Sequence, residues 1–284
     1  MDYALHTLIV ANFFIPVVLG YNLLFGRGKV FHFGAVGTWA AVAYAITITL
    51  VSTGSGFLAL GAGLAMAIVA SAVLAWLSFR LEPDGFGVMT IAVHLVVLAV
   101  ILNWNSLTRG ALGIPGVPQL SFMKSIEVFA LVTTMVSLLW IGLFAWIQRG
   151  AFGRKIDALA EHEWHAKSLG ISRIRVHFWA FILLGISTVA SVFFQPQYLR
   201  ILHPNDFQFP SFVFLMMIIV AGKPGSLWGG VLSTFLLVFL REGLRFVPLA
   251  PSVLGPVRLI LFGLILFIAV YVRRDTLFPK QRSI

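Results

Sequence analysis

The sequence places one membrane-length apolar segment after another, and this repetition restricts what the chain can fold into. A bilayer core about 30 Å thick is crossed by roughly 20 apolar residues in a helix. Of the 284 residues, 60% are hydrophobic and 11% are charged, whereas an ordinary soluble domain has about a quarter charged. The pattern predicts an all-α, polytopic transmembrane helical bundle in which residues 1–284 form a single domain.

The apolar segments predict about nine spans, separated by loops rich in Gly, Pro and charge. Each span is expected to be a helix, because lipid offers no hydrogen-bond partners to backbone N–H and C=O groups. An odd number of spans puts the two termini on opposite sides of the membrane. The predicted spans are 6–25, 30–52, 57–79, 85–103, 126–148, 176–194, 207–222, 225–241 and 253–272.

The basic residues predict the orientation, because Lys and Arg are enriched in cytoplasmic loops. With the N-terminus outside and the C-terminus in the cytoplasm, fourteen of the 20 Lys and Arg residues are cytoplasmic and six are external. This split explains the net charge of +10 without a nucleic-acid partner, since the basic residues form no contiguous face. The cytoplasmic set is Arg27, Lys29, Arg80, Arg149, Arg154, Lys155, Lys167, Arg173, Arg175, Lys223, Arg273, Arg274, Lys280 and Arg282, and the external set is Arg109, Lys124, Arg200, Arg241, Arg245 and Arg258.

The longest predicted cytoplasmic loop, residues 149–175, has a helix-like pattern and is called the charged loop below. Ile156, Leu159, Ala160 and Trp164 recur at three- and four-residue spacing, which predicts the apolar face of a short amphipathic helix. Gly170 stands where such a helix would end. Two interpretations remain: a helix that lies on the membrane surface or on neighbouring loops, and a helix that docks a soluble partner.

Several stretches, taken in order, resemble the permease subunits of ABC importers of the branched-chain amino acid type. The charged loop contains "FGRKIDALAEHEWHAKSLGI", which is similar to the family's cytoplasmic loop. The stretch from Val18, "VLGYNLLFGRGKVFHFG", resembles its first loop, and "SLTRGALGIPGVP" from Ser106 resembles its external glycine-rich segment. The run "GSLWGGVLSTFLLVFLREGLRF" from Gly225 resembles LivM-like subunits more than LivH-like ones, and "LFPKQ" resembles the motif after the last span.

The resemblance implies a type II-like ABC importer permease in the bacterial cytoplasmic (inner) membrane. Its implied partners are ABC ATPase subunits, a second related permease subunit, an extracytoplasmic solute-binding protein and membrane lipid. The implied cargo is a small net-neutral solute, either a branched-chain or other amino acid or, as the alternative, urea or a short amide. Glu161 and Glu163 would face the ATPase. The matching positions imply an ATPase-coupling role for Gly153, Arg154, Glu161, Glu163, Ala166, Leu169, Gly170 and Ile171.

No residue pattern indicates an enzyme, a cofactor or a metal site. A phosphate-binding loop needs Ser or Thr after its Gly-Lys pair, and here Val30 and Pro224 follow the two pairs. A competing class is the ion-coupled secondary transporter, which needs ionisable groups deep in its spans. His94 is the one titratable side chain near the middle of a predicted span, and a neutral histidine bonded to a neighbouring helix also explains it. This scarcity favours an ATP-driven transporter.

Small residues identify a candidate pathway, because they allow close backbone approach and a narrow, mostly apolar passage that suits a net-neutral solute. For each of them, helix packing is the other interpretation. The candidate pathway residues are Gly34, Gly37, Gly113, Gly116, Gly229 and Gly230.

Overall fold

The computed structural model describes residues 2–246 and 251–272, and all nine predicted segments are helical in it. Short helices complete the loops, so the all-α prediction is confirmed. The helices are α1 (Asp2–Tyr21), α2 (Gly34–Thr53), α3 (Gly56–Arg80), α4 (Pro83–Asn103), α5 (Asn105–Thr108), α6 (Ile126–Arg149), α7 (Ala151–Glu161), α8 (Glu163–Ser168), α9 (Arg173–Leu199), α10 (Phe209–Ala221), α11 (Leu227–Gly243) and α12 (Pro251–Val272).

Other elements occupy the turns between these helices. A π-helical turn over Asn22–Arg27, called the π segment, continues α1. Two-residue strands, β1 (Ile114–Pro115) and β2 (Ile201–Leu202), pair antiparallel and tie the loop after α5 to the loop after α9. Single 3₁₀ turns lie at Gly110–Leu112, Ser121–Met123, Pro204–Phe207 and Leu244–Phe246.

Several helices begin where the sequence supplies a capping residue. The hydroxyls of Ser55, Ser125 and Ser172 accept a hydrogen bond from the backbone N–H three residues on, at 3.3–3.4 Å. Ser226 does the same for α11 at 3.0 Å. Pro83 starts α4, where its missing N–H costs nothing. These caps satisfy N–H groups that the first turn of a helix leaves free.

Seven helices in the described part of the chain are long and apolar enough to cross a membrane. The other two predicted spans form shorter helices: α10 has 13 residues and α11 has 17. At 1.5 Å per residue, they rise about 20 and 25 Å, which is less than the hydrocarbon thickness. All nine predicted spans are therefore helices, but α10 and α11 are shorter than a full membrane span. These two helices form a hairpin.

The core of the bundle is built around α1, which packs against α6, α9 and α11. In α1 with its π segment, 89% of the most apolar stretch is buried. Small residues of α9 make the close contacts: Gly185 lies against the Ala67 carbonyl of α3, and Ser187 lies against Gly20 of α1. The Ser191 hydroxyl accepts a hydrogen bond from the Val17 N–H at 3.1 Å.

The outer helices expose apolar side chains that would be unfavourable in water. Only 28% of the most apolar stretch is buried in each of α3, α4 and α6, and 6% in the last span. Examples are Val69 on α3, Val96 on α4 and Leu139 on α6, which are 59%, 62% and 67% exposed. Apolar surface on this scale is expected to face lipid or another membrane subunit.

The charged loop lies at one end of the bundle with the other segments that the sequence assigned to the same side. The π segment contacts α7, the turn between α3 and α4 lines a cavity with Leu159, and Gly26 lies against Gly225. This end, the charged-loop end, carries ten of the fourteen basic residues predicted to be cytoplasmic. The other four, Arg273, Arg274, Lys280 and Arg282, lie outside the described residues, as does the "LFPKQ" motif.

A substitution at Gly229 tests the close approach inside the hairpin. A Cβ on Gly229 would overlap the Gly222 carbonyl group, whose carbon would lie 2.7 Å away. A Cβ on Gly222 would likewise lie 2.6 Å from the carbonyl carbon of Gly229. We expect Gly229→Ala to lower the free energy of unfolding by about 2 kcal/mol, because backbone must shift. Thermal unfolding of the purified protein in detergent measures this. Gly61→Ala is the control, since its Cβ meets no atom within 4 Å; equal effects would contradict the packing.

Candidate functional site

The charged loop folds as two helices rather than the single amphipathic helix that the sequence predicted. The break is at His162, whose backbone is extended (φ −148°, ψ 94°). Ile156 and Leu159 on α7 are buried, as predicted, but Trp164 is 83% exposed. The prediction for Trp164 was wrong because the extended residue rotates α8 relative to α7, so the spacing of one helix no longer applies.

Gly170 ends α8 in the way that the sequence predicted. Its φ of +78° is left-handed, and its N–H donates to the Lys167 carbonyl at 2.9 Å. The Ile171 N–H reaches back to the Ala166 carbonyl at 3.0 Å. This pair of bonds is a Schellman motif, in which glycine avoids the Cβ strain of the left-handed residue. The chain then returns to the membrane in α9.

The remaining loop residues divide into those that hold the loop and those that face outward. Gly153 is buried against the backbone of Gln148. A Cβ on Gly153 would lie 2.8 Å from the Gln148 Cα, so glycine lets α7 fold tightly onto the end of α6. Ala166 is also buried, and Ile171 is half-buried. The outward-facing residues are Arg154, Glu161 and Leu169, which are all exposed.

The two glutamates of the loop occupy different environments. Glu163 forms an ion pair with Lys167 at 2.8 Å and another with Arg173 at 3.4 Å. The hydrogen bond from Lys167, with the charge of Arg173, holds the pKa of Glu163 below its usual range. Glu161 is exposed and lines a groove beside Lys223. Of the two, Glu161 is therefore the carboxylate available to another chain, while Glu163 fastens α8 to α9.

An ion pair between the π segment and α7 was not predicted from the sequence. Arg27 donates from Nε to Asp157 at 2.9 Å, and a second nitrogen contacts the other carboxylate oxygen. Its Nη1 also donates to the Gln148 carbonyl at 3.0 Å. The sequence indicated only that both residues lie in loops on the same side of the membrane. A single sequence does not show which residues 130 positions apart are in contact.

The π segment also contacts the loop between α10 and α11. The fully buried Asn22 donates to the Ser226 carbonyl at 2.9 Å and accepts from the Gly225 N–H at 2.8 Å. Gly26 lies directly against Gly225. The same turn of backbone therefore contacts both the charged loop and the hairpin. π-Helical turns within α-helices are frequent at functional sites.

The structure does not bring the six candidate pathway glycines together. Gly34 packs on Leu74, and Gly37 packs on His94. Gly113 faces the Leu202 carbonyl in the strand pair, and a Cβ at Gly116 would meet no atom within 4 Å. Gly229 and Gly230 lie in the first turns of α11, against Gly222 and Val18 respectively. These contacts are packing contacts, and a pathway role for the glycines stays a prediction.

The described residues contain buried polar groups but no cluster suited to a metal ion. No three His, Asp or Glu side chains in residues 2–246 and 251–272 come close enough to hold one. His94 is buried, and neither ring nitrogen has a hydrogen-bond partner within this part of the chain. The described residues therefore do not provide the hydrogen bond between His94 and a neighbouring helix that this interpretation had predicted. The His94 ring does pack against Gly37 of α2.

A double-mutant cycle tests the ion pair between Arg27 and Asp157. We expect Arg27→Ala and Asp157→Ala to show a coupling energy of about 1 kcal/mol in the free energy of unfolding, because the contact is bidentate but partly exposed. Chemical unfolding in detergent measures it. Arg154→Ala with Glu161→Ala is the control cycle on the same helix and should be additive. A coupling energy of zero for the first pair would refute the contact.

Comparison with known proteins identifies relatives of this chain. The family model described as "Branched-chain amino acid transport system / permease component" matches residues 3–270. The chain is 28% identical over 262 residues to the high-affinity branched-chain amino acid transport system permease protein LivM of Escherichia coli (strain K12), covering 82% of this chain and 61% of that protein. The LivM protein of Salmonella typhimurium is also 28% identical, over 263 residues with the same coverage. The chain thus spans about three fifths of the length of these relatives.

A solved structure supports the fold. The structure described as PsaBC from Streptococcus pneumoniae in complex with Fab superposes with a TM-score of 0.50, covering 98% of this chain and 93% of that one. At 13% identity, this likeness concerns the fold alone. Because the family match extends over nearly all of the described helices, this chain belongs to the family of branched-chain amino acid transport system permease components.

Proposed function

We propose that this chain is a transmembrane permease subunit of an ATP-driven ABC importer. The family match over residues 3–270 is the observation that carries the proposal. In it, residues 1–284 form one permease domain and the charged loop is its coupling element. ATP is hydrolysed on separate ABC ATPase subunits, and a second related permease subunit completes the pore. An extracytoplasmic solute-binding protein delivers the cargo.

The charged loop offers a surface suited to an ATPase subunit. Trp164 and Leu169 are 83% and 78% exposed, in a loop whose other outward side chains are mostly charged or polar. Large apolar side chains at the centre of a polar surface are typical anchors of protein interfaces. Glu161 lies on the same loop and is free to meet a basic partner.

The proposed orientation puts the charged-loop end in the cytoplasm and the N-terminus outside, in a bacterial cytoplasmic (inner) membrane. The concentration of basic residues at this end supports it by the positive-inside rule. An ATPase subunit needs cytoplasmic ATP, so docking on the charged loop requires the same orientation. The C-terminus, which lies outside the described residues, is cytoplasmic in this proposal.

The cargo proposed is a small net-neutral solute, a branched-chain or other amino acid, with urea or a short amide as the alternative. Both LivM relatives are named for branched-chain amino acid transport, and this supports the first choice. An ion-coupled secondary transporter is the second candidate class, since the buried ring of His94 has no hydrogen-bond partner among the described residues and an ionisable group inside a span is typical of proton-coupled transport. Uptake that requires ATP and survives collapse of the proton gradient would decide for the importer.

Substitution of the two exposed apolar residues tests docking. In vesicles containing the whole complex, we expect Trp164→Ala with Leu169→Ala to reduce ATPase stimulation and uptake by at least about ten-fold, because interface anchors of this kind are worth about 2 kcal/mol or more. Insertion should be unchanged, since neither side chain is buried in the chain itself. Co-purification of the ATPase subunit gives a second measurement.

The matched control is Leu112→Ala, which removes an equally exposed leucine (80%) at the opposite end of the bundle. It should leave ATPase stimulation intact. Normal co-purification and normal ATP-dependent uptake in the double variant would show that the charged loop is only a surface element.

Single cysteines test the orientation, because the chain contains no native cysteine. Cysteines at Ser55, Ser106 or Asn205 should react with a membrane-impermeant maleimide in intact cells. One at Ser168 should react only after permeabilisation, and so should one at Ser283, which lies outside the described residues. Labelling at Ser168 in intact cells would contradict the orientation and the docking proposal together.

A further inference from the structure

A cavity of about 560 Å³ lies at the charged-loop end, beside Leu159, and is called the interfacial cavity below. It is lined by the loop 28–33, the end of α3, the start of α4, the facing side of α7, and parts of α8 and α9. It is therefore enclosed by the outer helices α3 and α4 on one side and by the charged loop on the other. Its volume is within the range of small-molecule sites, about 300–1,000 Å³.

The interfacial cavity lies at the depth where lipid headgroups meet the hydrocarbon. Trp76 on α3 and Trp179 on α9 are exposed, and each stands two residues from a lining residue, Ser78 and His177 respectively. Exposed tryptophan is enriched at the membrane–water interface. The Arg80 guanidinium, at the end of α3, lies 5.8 Å from the centroid of the Trp76 ring. Lipid headgroups are therefore expected beside the cavity.

An apolar stripe leads from the interfacial cavity along the outer surface of α4. Phe31 and Val88 line the cavity and are themselves exposed. Ile91 lines it about one turn further along α4, and the exposed Leu95 follows after another turn. Residues three and four apart share one face of a helix. The stripe therefore continues from the cavity onto a surface that faces lipid, and an acyl chain would cover it.

Two free charges of opposite sign line the same cavity. Lys29 and Asp84 are both exposed, and neither charged group has an ion-pair or hydrogen-bond partner among the described residues. The other two charged residues of the lining, Glu163 and Arg173, pair with each other at 3.4 Å. The cavity therefore offers a bound molecule one cation and one anion.

The backbone of Lys29 is left-handed, with a φ of +53°. A side chain in this region strains the backbone, whereas glycine adopts it freely. The Lys29 N–H donates to the Phe25 carbonyl at 3.1 Å, which holds the turn in place. Strained residues of this kind are concentrated at functional sites. A lysine where glycine would be unstrained points to a use for its ammonium group.

We propose that the interfacial cavity binds phosphatidylethanolamine, a phospholipid whose headgroup carries a phosphate and a primary ammonium. The Lys29 ammonium meets the phosphate, the Asp84 carboxylate accepts hydrogen bonds from the lipid ammonium, and one acyl chain lies along the apolar stripe. Phosphatidylglycerol has no cation for Asp84, and phosphatidylcholine has a cation without N–H donors. The bound lipid joins the outer helices to the charged loop. This inference rests on the membrane-spanning fold and not on the proposed cargo or on ATP-driven transport.

Native mass spectrometry of the purified whole chain tests the headgroup. The chain is stripped of lipid in detergent and titrated with phosphatidylethanolamine, phosphatidylglycerol or phosphatidylcholine, all with dioleoyl chains. We expect phosphatidylethanolamine to bind at least about ten-fold more tightly than either of the others, because both leave Asp84 without a charged hydrogen-bond donor. Equal affinity for the three lipids would overturn the proposal.

Glycerophosphoethanolamine has the same headgroup without acyl chains, so it separates a membrane lipid from a soluble ligand. A millimolar excess should leave bound phosphatidylethanolamine in place, because the soluble molecule cannot cover the apolar stripe. Displacement of the lipid by this excess would overturn the assignment to a membrane lipid.

A lysine variant tests the phosphate contact. Lys29→Gly removes the ammonium group, and glycine accepts the left-handed backbone, so thermal unfolding in lipid-free detergent should show an intact fold. We expect it to weaken the binding of phosphatidylethanolamine and of phosphatidylcholine, each about ten-fold, because both lipids carry the phosphate.

Lys223→Gly is the matched control. Lys223 is also exposed and left-handed, with a φ of +72°, and it lies at the same end of the bundle. It lines the groove beside Glu161 and not the interfacial cavity. Lipid binding should be unchanged in this variant, and equal effects of the two glycine variants would overturn the assignment of the site.

Because Lys29 also borders the groove beside Glu161, a variant of Asp84 locates the headgroup independently. We expect Asp84→Asn to remove the preference for phosphatidylethanolamine over phosphatidylcholine, since the two lipids differ only in the ammonium group that Asp84 binds. The control is Glu82→Gln, which changes an exposed carboxylate two residues earlier that does not line the cavity. It should keep the preference. A preference that survives Asp84→Asn would refute the proposed contact.

Discussion

The contact between the π segment and the loop 222–226 joins parts of the bundle that lie far apart in the chain. Asn22 is fully buried, and its amide satisfies one carbonyl and one N–H of that loop. The Ser226 carbonyl also accepts the Gly230 N–H at 3.1 Å, whereas the Gly225 N–H would lose its acceptor if the Asn22 side chain were removed. Arg27, at the end of the same turn, holds Asp157 of the charged loop. One turn of backbone thus connects α7 to the hairpin of α10 and α11.

The hairpin in turn extends this connection across the bundle. Its loop contacts the π segment at the charged-loop end, and Phe214 and Arg241 from its two helices line a cavity at the other end. α10 and α11 are also the helices that are short for a membrane span, and Gly222 and Gly229 allow them to pack at backbone distance. A movement of α7 therefore has a continuous packed route to the cavity. Such continuous packing is a possible route for coupling between the charged loop and the cavity. It amounts to a mechanism only when both sites shift the same equilibrium of the hairpin.

Hydropathy alone did not separate inner helices from outer ones. The first and third spans have similar mean hydropathy, 2.0 and 2.3, yet 89% and 28% of those stretches are buried. In a soluble protein an outer helix would carry a polar face. Because lipid is as apolar as a protein core, inner and outer membrane helices have similar hydropathy. Small residues do mark one inner helix: Gly185 and Ser187 of α9 lie directly against α3 and α1.

The sequence by itself determined the helices, their capping residues, the end of α8 at Gly170 and the grouping of basic loops, because each depends on neighbouring residues or on transfer to lipid. Only the tertiary structure decided that Glu163 is paired within the chain, that Trp164 is exposed and that Arg27 meets Asp157. It also placed Lys29 and Asp84 beside one cavity. The physical reason is distance along the chain: most of these contacts join residues far apart in sequence, and such pairs follow from how helices pack, which a single apolar pattern does not encode.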